Sequence, residues 1–273
     1  MSKDHTTPKL TVFEDFLNAL STCFKEKPQL IQMTMSNVFS MRMIGNKTHG
    51  DLAEVALAEF ITKYVEGHTA RHVGKDLFRA KSVEQDISVL TPTGEEIPIS
   101  LKAYGVGPLQ LSTNKDSSMF TILEETLGKG GTTDRKIIES LLLSGAFADF
   151  HKVNVLPLIY NEKKMICNIL VYEVRRAFDA ARKIDYLSSG KGRKHPIYRF
   201  TTIDGQYIFE VRYGGVSANA LQRGLWTHTV NAAPFFRSLT DWITYTINKP
   251  LLDVIARVLV STQEKHEQIL KML

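Results

Sequence analysis

The feature that most limits the fold is a pair of alternating segments joined by a tight turn. Val83 to Leu90 and Ile97 to Ala103 repeat apolar residues at every second position, the period of a strand with one buried face. Between them, Thr91-Pro92-Thr93-Gly94-Glu95 supplies the Pro and Gly of a chain reversal, so the two segments predict an antiparallel hairpin. In the first strand Val83, Gln85, Ile87 and Val89 point one way, and Glu84, Asp86 and Ser88 the other. In the second, Ile97, Ile99 and Leu101 line one face, and Pro98, Ser100 and Lys102 the opposite one. With both apolar faces in one core, Asp86, Ser100 and Lys102 gather on the far side of the sheet. A plain cross-strand ion pair is the simplest meaning of such a juxtaposition.

A helix upstream adds a second charge. Gly45-Asn46-Lys47 breaks the helical pattern of Leu10 to Ile44, itself interrupted at Pro28, and Thr48 to Asp51 offers caps for a new helix from Leu52 to Val65. Glu54 shares its stripe with Leu57, Ala58, Ile61 and Val65, whereas Glu59 runs with Lys63 and Glu66 on a solvated stripe. An inward carboxylate is costly unless a cation or donor meets it. The other reading of Glu54 is a first-turn acid favoured by the helix dipole.

Downstream, helices are expected at Phe120–Leu127 and Asp134–Leu143, strands at Val153–Tyr160 and Ile166–Glu173, and a helix over Arg175–Ile184. Ser188 to Lys194 reads as a linker, Ile197–Thr201 and Tyr207–Arg212 as a hairpin about Asp204-Gly205, and Leu251–Leu273 as a long helix opened by Pro250. The pattern is that of one α/β domain: a helical region at 1–45, a core at 46–185, and 186–273 for partner recognition or dimerisation.

Thirty-four Lys+Arg against 29 Asp+Glu give +5, which suits a polyanionic partner without demanding one. Cys23 and Cys167 sit in no metal-binding spacing, and Met1 to Lys9 carries no leader pattern, so reduced thiols in the cytoplasm and no structural zinc are expected. No apolar run is long enough to span a membrane. Gly128-Lys129-Gly130-Gly131 follows no strand and lacks a Gly-Lys-Ser/Thr ending, which excludes the glycine loops of methyltransferases and P-loop NTPases.

Taken together, Glu54 on a helix, Asp86 on a strand and Ser100-Leu101-Lys102 on its partner resemble the PD-(D/E)xK nuclease superfamily, over residues 45 to 107. The resemblance departs in two places: Gln85 replaces the Pro before the Asp, and Ser100 occupies the second acid position. It implies a restriction-endonuclease-like mixed β-sheet core flanked by helices, with helical N-terminal and C-terminal additions, and a type II restriction endonuclease that hydrolyses double-stranded DNA with Mg²⁺. Asp86, Glu54 and Ser100 would form the metal side of the site, with Glu124 or Glu125 as second candidates for the missing carboxylate. Lys102 would orient or deprotonate the attacking water. A homodimer and a companion DNA methyltransferase are implied as well. A structure-specific repair nuclease and a non-enzymatic DNA-binding protein are the alternatives.

Residues able to meet DNA lie elsewhere in the chain. Asn114 and Lys115, and the Gly-rich segment with Lys191, Arg193 and Lys194, could touch phosphates. Arg212, Tyr213, Asn219, Gln222 and Arg223 could read base edges. His228, near Trp226, reads as a packed structural histidine.

Overall fold

A computed structural model describes residues 11–44, 49–73, 85–105, 107–112, 119–151, 154–190, 195–212, 224–259 and 263–271. In chain order the elements are α1 (Val12–Glu26), α2 (Pro28–Met41), α3 (His49–Tyr64), β1 (Thr69–His72), β2 (Ile87–Leu90), β3 (Glu96–Tyr104) and β4 (Leu109–Ser112). Helices α4 (Met119–Leu127), α5 (Arg135–Leu142) and α6 (Gly145–Phe150) lead to β5 (Asn154–Asn161), β6 (Ile166–Tyr172), α7 (Val174–Ala180) and β7 (Lys183–Leu187). There follow β8 (Ile197–Thr201), β9 (Tyr207–Arg212), β10 (Gly224–Thr227), β11 (Phe236–Ser238), β12 (Ile243–Thr244), α8 (Lys249–Leu259) and α9 (Gln263–Leu270).

The expected hairpin forms in the expected register, Ile87 opposite Ile99 and Val89 opposite Ile97. Among the described residues, seven strands form a mixed sheet in the order β1-β2-β3-β5-β6-β11, with β12 also on β6. The one parallel pair in it is β3–β5, reached by a crossover through α4 to α6. Pro98 is tolerated within β3 because β5 begins only at Asn154, opposite Ile99, and the Asn154 amide donates to the Pro98 carbonyl at 3.0 Å.

Helices α1 to α3 cover one face of this sheet. Phe16, Leu17, Leu20 and Ile31 pack in the same core as Leu57, Ile61, Ile87, Ile99 and Leu101. The N-terminal helices are therefore part of the central layer, where the sequence pattern had them as an addition. Pro28 divides them by sitting in the first turn of α2. A second core joins Val155 and Tyr172 from the other sheet face to α4, α5, α6 and α7 and to a five-stranded antiparallel sheet, β4-β10-β9-β8-β7.

Other expectations change. The helix read over Arg175–Ile184 ends at Ala180, and Lys183–Leu187 is a strand paired with β8, because Ile184 is needed in the second core. The expected boundary between 185 and 186 thus falls inside β7, and β11 and β12 return to the first sheet. Of the expected C-terminal helix, Lys249–Leu259 and Gln263–Leu270 are described and helical, and α8 rests on α2. Gly131 has a structural purpose: a Cβ there would collide with the Ile184 carbonyl, where Thr132 bridges to Ile184. No helix among the described residues is long and apolar enough to cross a membrane.

The two sheets are tied where β3 ends. The Tyr104 hydroxyl meets Thr229 Oγ1 at 2.8 Å, and burial pushes this phenol up to about 12 from its ordinary 10. A phenol that holds its proton longer when folded stabilises fully below the unfolded pKa and is lost as pH rises through the folded one. Stability should therefore fall between pH 10 and about 12, and Tyr104→Phe should make that fall shallower in urea denaturation. Ile61→Ala, at a position with no solvent exposure under the sheet, should cost about 2–5 kcal/mol by the same measurement.

Candidate active site

Strand β2 starts at Ile87, while β3 runs on past Ile99 to Tyr104, so β3 has backbone donors on its β2 side with no strand opposite. Asp86 fills that place. Its own N–H donates to the Ile99 carbonyl at 2.8 Å, which continues the ladder by one bond. Its Oδ2 then accepts from the Leu101 N–H at 2.9 Å and from the Ser100 hydroxyl at 3.1 Å. Lys102 Nζ stands 3.6 Å from the same oxygen.

Burial sharpens this arrangement. Asp86 is 3% exposed and Ser100 fully buried, whereas the Lys102 side chain is 26% exposed. The carboxylate is thus desolvated but bound by donors, and the lysine is the member that meets water. Alternation explains the grouping: Ile99 and Leu101 turn into the α-helical core, and Ser100 and Lys102 turn the other way. The expected trio is assembled.

Glu54 behaves differently. Its stripe is as read, with Leu57, Ala58, Ile61 and Val65 all buried and Glu59 exposed, and Glu54 itself is 6% exposed. The group that meets its carboxylate is His72, whose Nε2 lies 3.0 Å from Oε2. His72 pairs with Ile87, the residue after Asp86. Glu54 therefore reaches the β1–β2 edge from the α3 side, through His72. His72 went unread because β1 has only four residues, too few to establish a period.

Glu124 and Glu125, the second candidates, are exposed on α4, which packs against β8, β9 and β10 of the other sheet. They do not join the Asp86 group. Asn114, Lys115, Lys191, Arg193, Lys194, Tyr213, Asn219, Gln222 and Arg223 lie outside the described residues. Arg212 lies along the outer face of the five-stranded sheet, where its Nη2 meets Glu210 at 2.6 Å and its guanidinium stacks 3.8 Å from the Trp226 ring centre. His228 is half-buried, its ring 6.1 Å from that of Tyr207.

The flanks of the undescribed segments are informative. Leu187, Ile197, Arg212, Gly224 and Ser112 fall in one register row at one end of the five-stranded sheet. Segments 113–118, 191–194 and 213–223, which hold the expected DNA contacts, all connect to that end or close beside it.

A cleft of about 510 Å³ opens elsewhere, between α1, the β2–β3 turn and α7. None of Glu54, Asp86, Ser100 and Lys102 lines it, and two of its acids are already engaged, Glu173 by Arg176 at 2.8 Å and Glu14 by Arg237 at 2.8 Å. We place the candidate site at Asp86, whose carboxylate and lysine offer unlike chemistry at one point, and not in this larger cleft.

Mg²⁺ is a hard cation satisfied by one or two carboxylates together with water and substrate oxygens. The Asp86 carboxylate and the Ser100 hydroxyl offer that donor chemistry at one point, and Glu54, held by His72, offers a further carboxylate from the α3 side. Among the described residues no three His, Cys, Asp or Glu side chains gather as a ready metal cage, so water and substrate would complete the coordination. No family model, curated protein or solved structure matches the chain.

Asp86 also holds the strand edge, and its substitutions should separate the two duties. Asp86→Ala strands the Leu101 N–H and should destabilise by about 1–3 kcal/mol in urea denaturation. Asp86→Asn keeps an acceptor for that N–H and should cost less. Equal losses would show that the bond to Leu101 has no energetic weight.

Proposed function

We propose that the protein is a divalent-cation-dependent nuclease of double-stranded DNA, of the type II restriction kind. The observation that carries this reading is the convergence of the Ser100 hydroxyl, the Leu101 N–H and the Lys102 ammonium on one buried oxygen of Asp86. An acid just before β2 and a lysine on β3, held this way, have the chemistry that phosphodiester hydrolysis needs.

Asp86 and Glu54 would hold the cation, which when bound supplies an acidified water and neutralises charge on the phosphate. The residues do the positioning. Donors to Oδ2 fix the Asp86 carboxylate, so little reorganisation is required of it. Lys102, partly exposed, orients the attacking water and offsets negative charge on the phosphoryl oxygens. His72 orients Glu54 by its bond to Oε2. The row of strand ends that carries segments 113–118, 191–194 and 213–223 would present Asn114, Lys115, Lys191, Arg193, Lys194, Tyr213, Asn219, Gln222 and Arg223 to the duplex. A two-fold dimer on a palindromic site and a companion methyltransferase belong to the same proposal.

A second reading has a specific observation in its favour. Asp86 already serves the strand edge, so the cluster could be structural in a DNA-binding protein without catalysis. Incubation with plasmid and Mg²⁺ decides. A nuclease gives cleavage abolished by EDTA, Asp86→Asn and Lys102→Ala, with DNA binding retained. Glu54→Gln should be severely impaired, and His72→Ala should lose about 10–100-fold, as expected for a residue that orients a metal ligand. Discrete fragments mean sequence-specific cutting, and structure-dependent nicking means a repair enzyme. An intact plasmid, or normal cutting by the Asp86 variant, overturns the proposal.

A further inference from the structure

We infer that the outer face of the five-stranded sheet carries a phosphate-binding pocket, centred on Arg199 and Glu210 and independent of the nuclease reading. Cross-strand pairing sets Asp185, Arg199, Glu210, Trp226 and Gln110 in one row across all five strands. Tyr198, Phe200, Phe209, Val211 and Leu225 occupy the inner face and fill the second core, so alternation turns this row outward.

Within the row, Glu210 is 3% exposed and faces two guanidiniums. It is engaged unequally. Arg212 reaches Oε1 with Nη2 at 2.6 Å and Nε at 2.7 Å, whereas Arg199 Nη2 is 3.5 Å from Oε2. One carboxylate therefore neutralises Arg212 and leaves Arg199 loosely held. Asp185, on the other side of Arg199, is paired with Lys183 at 3.0 Å. The row keeps a surplus of positive charge at Arg199.

Donors on both sides of Glu210 are left unmet by it. Arg199 Nε and Trp226 Nε1, in the residues on either side of that carboxylate, are buried without any hydrogen-bond acceptor. Buried donors are nearly always satisfied, so unsatisfied ones call for an explanation. A pocket of about 300 Å³ opens at this point, and Tyr207, His228 and Asn231 complete its lining with the two arginines and Glu210. Its donors outnumber its acceptors and come from Arg199 on β8, Arg212 on β9, and His228 and Asn231 after β10. An oxygen-rich tetrahedral anion answers donors arriving from several directions, and a guanidinium fork binds phosphate oxygens in pairs. His228, read from the sequence as a packed histidine, is by this account a wall of the pocket.

The source of the phosphate separates into arms of one experiment. The whole chain is titrated, with EDTA present, against inorganic phosphate, a 5′-mononucleotide and a short DNA duplex, followed by calorimetry and phosphorus NMR. Inorganic phosphate should bind saturably, and Arg199→Gln and His228→Ala, both in the pocket wall, should each weaken it about tenfold, the loss of one hydrogen bond to the anion. His228→Ala, at a half-buried residue outside the strands, carries the test if Arg199→Gln fails to fold. Competition by the duplex identifies a backbone phosphate as occupant. Competition by the mononucleotide alone identifies a free nucleotide, and competition by neither identifies the free anion. Absence of saturable phosphate binding by the unaltered protein, or unchanged affinity in His228→Ala, overturns the inference. Cleavage by the Asp86 site has no bearing on any of these outcomes.

Discussion

Strand β3 runs beyond the start of β2, and the Leu101 N–H on that open side is met by the Asp86 carboxylate at 2.9 Å. A backbone donor left unmet at this depth would carry a desolvation penalty, and a carboxylate this deep would be worse without donors. Each group answers the other. The exchange fixes the strand edge, places a negative charge at the sheet centre, and brings Ser100 and Lys102 to the same oxygen. Chemistry and architecture therefore share one contact.

That contact also explains the division of labour among the layers. The α1–α3 core holds the apolar face of the sheet, with Ile87, Ile99 and Leu101 fully or nearly buried. Its rigidity is what keeps Ser100 and Lys102 facing the other way. Glu54 enters from that apolar layer and is matched by His72, so a second buried carboxylate reaches the β1–β2 edge from the opposite side. The five-stranded sheet follows directly from β3 through β4, and Tyr104 bonds to Thr229 at the junction. Whatever binds along that sheet is held at a fixed relation to the Asp86 group.

Much of this was legible in the residues. Alternation over Val83–Leu90 and Ile97–Ala103 yields the pairing of Ile87 with Ile99 and the side on which Asp86, Ser100 and Lys102 fall. The stripe on α3 singles out Glu54 as an inward acid. Less was legible where the determinants are non-local. Strands β1, β4 and β10 have four residues each, too short to display a period. Ile184 ends a helical pattern by sequence, yet belongs to β7 because the second core requires it. The parallel pairing of β3 with β5 spans a crossover that no local signal encodes. Arg212 is read from the sequence as able to meet base edges, and only cross-strand pairing reveals its engagement with Glu210 and Trp226.

The most direct measurement is to locate the cation. Crystals grown with a short duplex and soaked in Mn²⁺ would reveal the ion by anomalous scattering. An anomalous peak against the Asp86 carboxylate, with Glu54 or its bound water on the far side and a phosphate oxygen beside Lys102, is what this account predicts. A duplex seated on the protein with no ion at Asp86, or an ion held by other carboxylates, would contradict it.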